Sequence, residues 1–186
     1  DLWEASPIRI EDNDSHTEQI IDLLFPRDPL LCCGWAMDNF DTRPREAWRG
    51  DMAGMQLIVP SPMSKVEGIT KDGRLSRHCL DNTGPRKYLV VEFDQGTPDQ
   101  HAARLLWLAE RAPLVLVVHS GGKSLHGWFR CRGASDGVLR KFMRVAVMIG
   151  GDPATWTRSQ FVRMPDGQRD NGKRQTVFYV DQEAAR

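Results

Sequence analysis

Lys87-Tyr-Leu-Val-Val-Glu-Phe-Asp94 is a run of β-branched and aromatic residues closed by two acids spaced two apart. It reads as a strand, apolar on both faces up to its acidic end. Side chains at i and i+2 of a strand share one face, so Glu92 and Asp94 stand about 7 Å apart along the chain. Two carboxylates that close repel unless a cation sits between them, and hard oxygen ligands of this kind suit magnesium or manganese. The competing reading is the exposed acidic face of an amphipathic strand. The apolar stretch from Tyr88 to Val91, which implies burial on both sides, argues against it.

Downstream of this strand the signals stay sharp. Thr97-Pro98-Asp99-Gln100 supplies an N-cap, a proline at the first helical position and a glutamine three residues after the cap. Ala102, Leu105, Leu106 and Leu108 follow at helical spacing. Pro113 stops that helix, and Leu114 to His119 is a continuous apolar run of buried-strand length. The turn Ser120-Gly-Gly-Lys123 leads into a third strand from Leu125 to Cys131, and Ser135 can cap a helix running to about Ile149. Short strands around Phe161 to Met164 and Thr176 to Val180 complete the chain. Strand, helix, strand, strand, helix, strand is the split β-α-β order of ferredoxin-like folds, which makes the fold class α+β. In that topology the first and third strands lie antiparallel at the centre of the sheet and the fourth lies beside the first. Glu92, Asp94, His126 and Asp152 are then expected at one edge.

Upstream, residues 1–85 have a different texture, rich in proline, tryptophan and turn residues. Ser15-His16-Thr17-Glu18 has the pattern of a capping box ahead of Ile20, Ile21, Leu23 and Leu24, and Gln56 to Pro60 has the character of a short strand.

At 186 residues and 40% hydrophobic content the chain can bury a core without staples. Lysine plus arginine equals aspartate plus glutamate at 25 each, so bulk charge gives no argument for nucleic acid. Locally, Arg158, Arg163, Arg169, Lys173 and Arg174 outnumber Asp166 and Asp170, an excess that suits either a phosphate-facing surface or a solvated loop. Four cysteines, no signal peptide and no apolar run long enough to cross a bilayer indicate a reducing, cytoplasmic setting without membrane partners. A first residue of Asp1 suggests a piece of a longer polypeptide.

The glycines of Ser120-Gly121-Gly122-Lys123-Ser124-Leu-His126 allow close approach to a phosphate, with Lys123 adding charge, although a plain glycine hairpin has the same composition. Gly122-Lys123-Ser124 matches the tail of a Walker loop. The position five before Gly122 is Val117, however, and a strand follows instead of a helix, so that motif is rejected. His126 sits on an otherwise apolar strand, where a histidine is either a satisfied core residue or, beside the carboxylates, a partner for a triphosphate oxygen. Cys32, Cys33, His78 and Cys79 supply zinc-binding residue types, but adjacent cysteines close a tetrahedron poorly, and buried free thiols are preferred to structural zinc. Ser64, Lys65, Arg74, Arg77, Asn82 and Arg86 make the approach to the first strand polar and basic. Among the six tryptophans a base-stacking platform competes with ordinary core packing.

Glu92-Phe-Asp94, Ser124-Leu-His126 and Asp152 in Gly-Gly-Asp-Pro together resemble the catalytic core of archaeo-eukaryotic-type primases and primase-polymerases. Arg163-Met-Pro165 and Asn171-Gly-Lys173 look like that family's Arg-x-Pro-Gly and Asn-x-Lys segments, with Asp166 and Arg169-Asp170 as extra length. The resemblance covers residues 87 to about 180. It implies an RRM-like catalytic half, residues 86–186, packed on a smaller N-terminal α/β subdomain, residues 1–85. It also implies a nucleotidyltransferase in which Glu92, Asp94 and Asp152 hold two Mg2+ or Mn2+ ions. Ser120, Gly121, Gly122, Lys123, Ser124 and His126 would grip the triphosphate, with Arg163 and Lys173 adding charge. The implied partners are a DNA template and primer, NTP or dNTP, and a helicase or other replication domain fused to the chain or working beside it.

Two alternatives share parts of this pattern. A catalytically inactive RRM-like module binding single strands needs aromatic faces on its central strands. A metal-dependent nuclease wants an acid followed shortly by lysine on the next strand, and Leu114 to His119 contains no acid.

Overall fold

A computed structural model describes residues 1–11, 13 and 15–186. It is an α+β arrangement of antiparallel sheets. In chain order the elements are α1 (Leu2–Ala5), α2 (Thr17–Leu24), β1 (Leu30–Ala36), β2 (Asn39–Pro44), β3 (Leu57–Ile58), β4 (Gly68–Ile69) and β5 (Leu75–Ser76), then β6 (Tyr88–Glu92), α3 (Pro98–Ala109), β7 (Leu114–His119) and β8 (Leu125–Arg130), and finally α4 (Asp136–Met148), β9 (Val162–Arg163), β10 (Val177–Val180) and α5 (Gln182–Ala185). Among the described residues no helix is long and apolar enough to cross a membrane.

Alternation along β6 sets up the molecule. Tyr88 and Val90 point into a core shared with α2, β1 and β3, whereas Leu89, Val91 and Phe93 point into a second core under α3 and α4. The strand is apolar on both faces because both faces are covered, and Tyr88 to Val91 are at most 1% exposed. Helix α3 begins with the capping box at Thr97 and Gln100, and Ser135 caps α4 by accepting from the Val138 amide.

The sheet order departs from the ferredoxin-like expectation. Strands run β10-β7-β8-β6, so β6 pairs with β8 as expected but forms an edge, and the last strand lies beside β7. Beyond α4 the chain returns to β6 only as a single bridge between Gly151 and Phe93. The close approach needs glycine: a Cβ on Gly151 would lie 2.9 Å from the Ala146 carbonyl oxygen. From there the chain crosses to the other sheet, β2-β1-β3-β9, in which β9 pairs with β3.

The capping box expected at Ser15 to Glu18 does not form. His16 takes the N-cap position with no side-chain cap bond. Glu18 is drawn off to Arg45 at 2.5 Å and to the Gly50 amide at 2.9 Å. A carboxylate 150 residues away serves this helix start instead, since Asp166 Oδ2 accepts from the His16 amide at 2.5 Å.

Candidate active site

Glu92 and Asp94 continue the Tyr88 and Val90 face of β6 and project between the two sheets. Register places His126 directly opposite Glu92 on β8. Asp152 reaches the same place from the far side: its amide donates to the Glu92 carbonyl at 2.9 Å. Its carboxylate accepts from the Ala154 amide at 2.9 Å and begins the 3-10 turn Pro153–Trp156.

Glu92 is the electrostatic centre of this arrangement. Burial, then the charges of Asp152 and Asp94, push its carboxyl up to about 7, helped by a hydrogen bond with the Asp152 side chain and opposed by Arg163. His126 is pushed the other way, down to about 3, first by burial and then by Arg163, His119, His101 and Arg169. Its Nδ1 stands 3.0 Å from Glu92 Oε2 yet makes no hydrogen bond, the angle being wrong. The pair is therefore a neutral imidazole facing a half-protonated carboxyl near pH 7, and not a salt bridge.

These groups line a cleft of about 320 Å³, within the roughly 300–1,000 Å³ of small-molecule sites. Glu92, Asp94 and His126 form one wall. Ser120, Gly122, Lys123 and Ser124 from the β7–β8 turn form another, with Arg163 and Arg169 above. Arg163 is half-buried and bonded to Gln56 Oε1 at 3.2 Å. Arg169 crosses the turn and donates to the Ser120 carbonyl at 3.3 Å. The turn itself is closed internally. Ser120 Oγ accepts from the amides of Gly122 and Ser124, and His119 Nδ1 accepts from Gly121. What it offers an anion is therefore mainly the exposed Lys123 side chain, more than a cradle of amides.

Of the residues expected at the site, Gly121, Asp152 and Lys173 do not line the cleft. Gly121 lies buried beneath Arg169, Asp152 sits behind Glu92, and Lys173 is exposed on the loop 166–175 that carries Arg169. Arg169, which belongs to the local basic excess and to the added length of this loop, lines the cleft where Lys173 does not. Met37, from the β1–β2 turn, also reaches the wall, and nothing in its local pattern signals this.

Among the described residues no three His, Cys, Asp or Glu side chains form a ready-made metal cage. The donor set still suits a hard cation, because a carboxyl driven up to about 7 by burial first and then by two neighbouring carboxylates is a group a divalent ion relieves. Elsewhere, Cys32 and Cys33 are buried in different cores, and His78 is engaged by the Ser159 carbonyl and stacked on Phe161. Tyr88 on β6 and Trp128 on β8, aromatic residues of the cleft face, are fully buried.

No protein-family model and no curated protein matches the chain. Among solved structures it is similar to the "Polymerase Domain from Mycobacterium tuberculosis Ligase D in complex with DNA", at 16% identity and a TM-score of 0.40. The match covers 82% of this chain and 63% of that one, so this chain spans less than two thirds of its neighbour's length.

Proposed function

We propose that this chain is a primase-polymerase, a nucleotidyltransferase that joins nucleotides from NTP or dNTP to a 3′-hydroxyl on a DNA template. The observation that carries the reading is one cleft with two opposed walls. Glu92 and Asp94, backed by Asp152, gather negative charge, and Lys123, Arg163 and Arg169 face them with positive charge. A triphosphate bound with its cations is a ligand that satisfies both walls.

In this reading Glu92, Asp94 and Asp152 would hold two Mg2+ or Mn2+ ions, which lower the pKa of an attacking hydroxyl and neutralise the triphosphate. The chain's own work is positioning. Lys123, Arg163 and Arg169 bind phosphate oxygens by charge-assisted hydrogen bonds. His126 stays neutral across the physiological range, with its Nδ1 beside Glu92 and its ring on the cleft wall. Packing of β6 against β8 and the bridge at Gly151 hold the acids in register, so that little reorganisation is left for the reaction. A DNA template and primer, and a helicase or other replication domain, are the partners this reading expects. An RRM-like single-strand module is disfavoured because Tyr88 and Trp128 are buried and offer no stacking face.

The test is incubation with a primed DNA template, Mn2+ and labelled nucleotides. Extension supports the proposal. Cleavage of the DNA points to a nuclease, and binding without reaction points to a silent module.

A further inference from the structure

Outside the carboxylate cleft, a second and larger cavity of about 600 Å³ opens between the segment leading into β6, the start of α4 and the 3-10 turn after Asp152. Its walls carry Arg86, Arg140 and Arg158 around Trp156. The Arg86 guanidinium lies over the Trp156 ring at 4.6 Å and donates to the Trp156 carbonyl at 2.5 Å. Arg140 lies 5.2 Å from the same ring. Arg158 is tied by Nη2 to the carbonyls of Leu80 and Thr83, while its buried Nε has no partner. Asp136 is the one carboxylate on these walls, and its ion pair with Arg140, at 3.7 Å, is exposed on both sides.

Three guanidiniums thus converge with a single solvated acid among them, and Arg86 is half-buried and makes no ion pair among the described residues. A concentration of positive charge with so little acid among it is what an anion relieves. Guanidiniums fixed against an indole are pre-organised, so less side-chain freedom is lost when they bind a phosphate.

Position identifies the kind of anion. A single short segment, 152–163, links the two cavities: Asp152 contacts Glu92, Trp156 and Arg158 line the second cavity, and Gln160 to Arg163 line the first. We propose that the second cavity is a phosphate-ester subsite, suited to a phosphate of a nucleic-acid strand running toward the carboxylate cleft or to that of a second nucleotide. This goes beyond the catalytic reading and does not depend on its success, because it is a statement about binding.

The test is metal-free binding in EDTA, with two probes: a fluorescent single-stranded oligonucleotide followed by anisotropy across a salt series, and ATP followed by calorimetry. Arg140→Gln is the safe variant, since its side chain is exposed, and Arg86→Gln/Arg140→Gln is the stronger one, with circular dichroism as the folding check. Each neutralised phosphate contact lowers the salt slope of single-strand binding by about 0.7, which is about fivefold in affinity at 0.1 M salt and about 25-fold for two. Loss in the oligonucleotide arm supports the site and assigns it to a strand. Loss in the ATP arm alone supports it and assigns it to a nucleotide. Arg140→Gln alone, binding both probes like the wild type, and the folded double variant doing the same, would overturn the proposal. Primer extension by the wild type is measured alongside, so that a protein that binds the oligonucleotide without extending a primer tells a failure of polymerase activity apart from a failure here.

Discussion

The Asp152 amide donates a hydrogen bond to the carbonyl of Glu92 at 2.9 Å, joining two acids 60 positions apart in the chain through their backbones. The main-chain link sets the two backbones side by side, the Ala154 amide then holds the Asp152 carboxylate, and Asp94, two residues on from Glu92, is the exposed member of the set.

Asp94 is therefore the acid whose loss separates chemistry from folding. Asp94→Ala removes an exposed side chain, and such changes usually shift stability by no more than about 0.5 kcal/mol. Losing a metal-holding carboxylate removes several kcal/mol of transition-state stabilisation, on the order of 100-fold or more in rate. Primer extension should disappear while the urea midpoint stays put. Extension at the wild-type rate would take Asp94 out of the site.

The raised pKa of Glu92 gives stability a pH dependence of definite sign. Its carboxyl titrates at about 7 in the folded chain against 4.5 for the ordinary group. Between those values the folded state binds more protons than the unfolded one, so this group's contribution falls as pH rises, by about 3 kcal/mol in total. His126, down at about 3, acts oppositely between about 3 and 6.5, costing stability as the pH falls. Comparing the wild type with Glu92→Gln cancels the histidine. In EDTA, urea melts should show the variant gaining on the wild type from about pH 4.5 to 7 and holding its advantage above that. Added Mn2+ should stabilise the wild type more than the variant. A gap independent of pH would mean that Glu92 is not strained by its neighbours.

Much of this site is legible in the sequence where one local rule acts alone. Thr97 and Gln100 cap α3 because both partners lie within one turn, and the β7–β8 hairpin follows from consecutive apolar strands joined by the short glycine turn. Failures occur where distant partners compete. Glu18 is drawn to Arg45 and so cannot close its own capping box. Val177 and Val180 bury against the core beside β7, which decides the place of β10, and nothing in their own alternation names that neighbour. Arg169, and not Lys173, lines the cleft because the loop folds back over the glycine turn, a tertiary fact invisible in the spacing.

That crossing makes the two glycines of the turn unequal. Gly121 has φ +71°, and a Cβ there would meet Arg169 Cδ at 2.9 Å. At Gly122 the φ is not positive, and a Cβ would meet the movable Arg169 Nη1 at 3.2 Å and, in ordinary contact, Ser120 Oγ at 3.5 Å. Gly121→Ala should cost about 1–2 kcal/mol and displace Arg169, raising the KM for nucleotide more than it lowers kcat. Gly122→Ala should stay within about 0.5 kcal/mol of the wild type. Equal effects at the two positions would show that Arg169 does not depend on the turn.

Asp166 holds the loop that delivers Arg169. Its carboxylate is 1% exposed and accepts from Arg174 through Nε at 2.6 Å and Nη2 at 2.7 Å, as well as from the His16 amide that begins α2. Replacing it with alanine removes a buried acceptor from both Arg174 and the His16 amide at the start of α2, and hydrogen bonds to a charged group are worth about 1.5–3 kcal/mol, so the cost is about 2 kcal/mol. Asp166 also adopts φ +58°, a conformation that asparagine tolerates far better than alanine does. Asp166→Asn should therefore retain the backbone and part of the hydrogen bonding and lose less than the alanine variant. Nucleotide affinity should follow the same order, wild type above asparagine above alanine, because the loop at 166–175 positions Arg169 over the cleft. Urea denaturation and a nucleotide titration on the three proteins check both orders. If alanine unfolds at the wild-type midpoint, the loop is held by something other than this carboxylate.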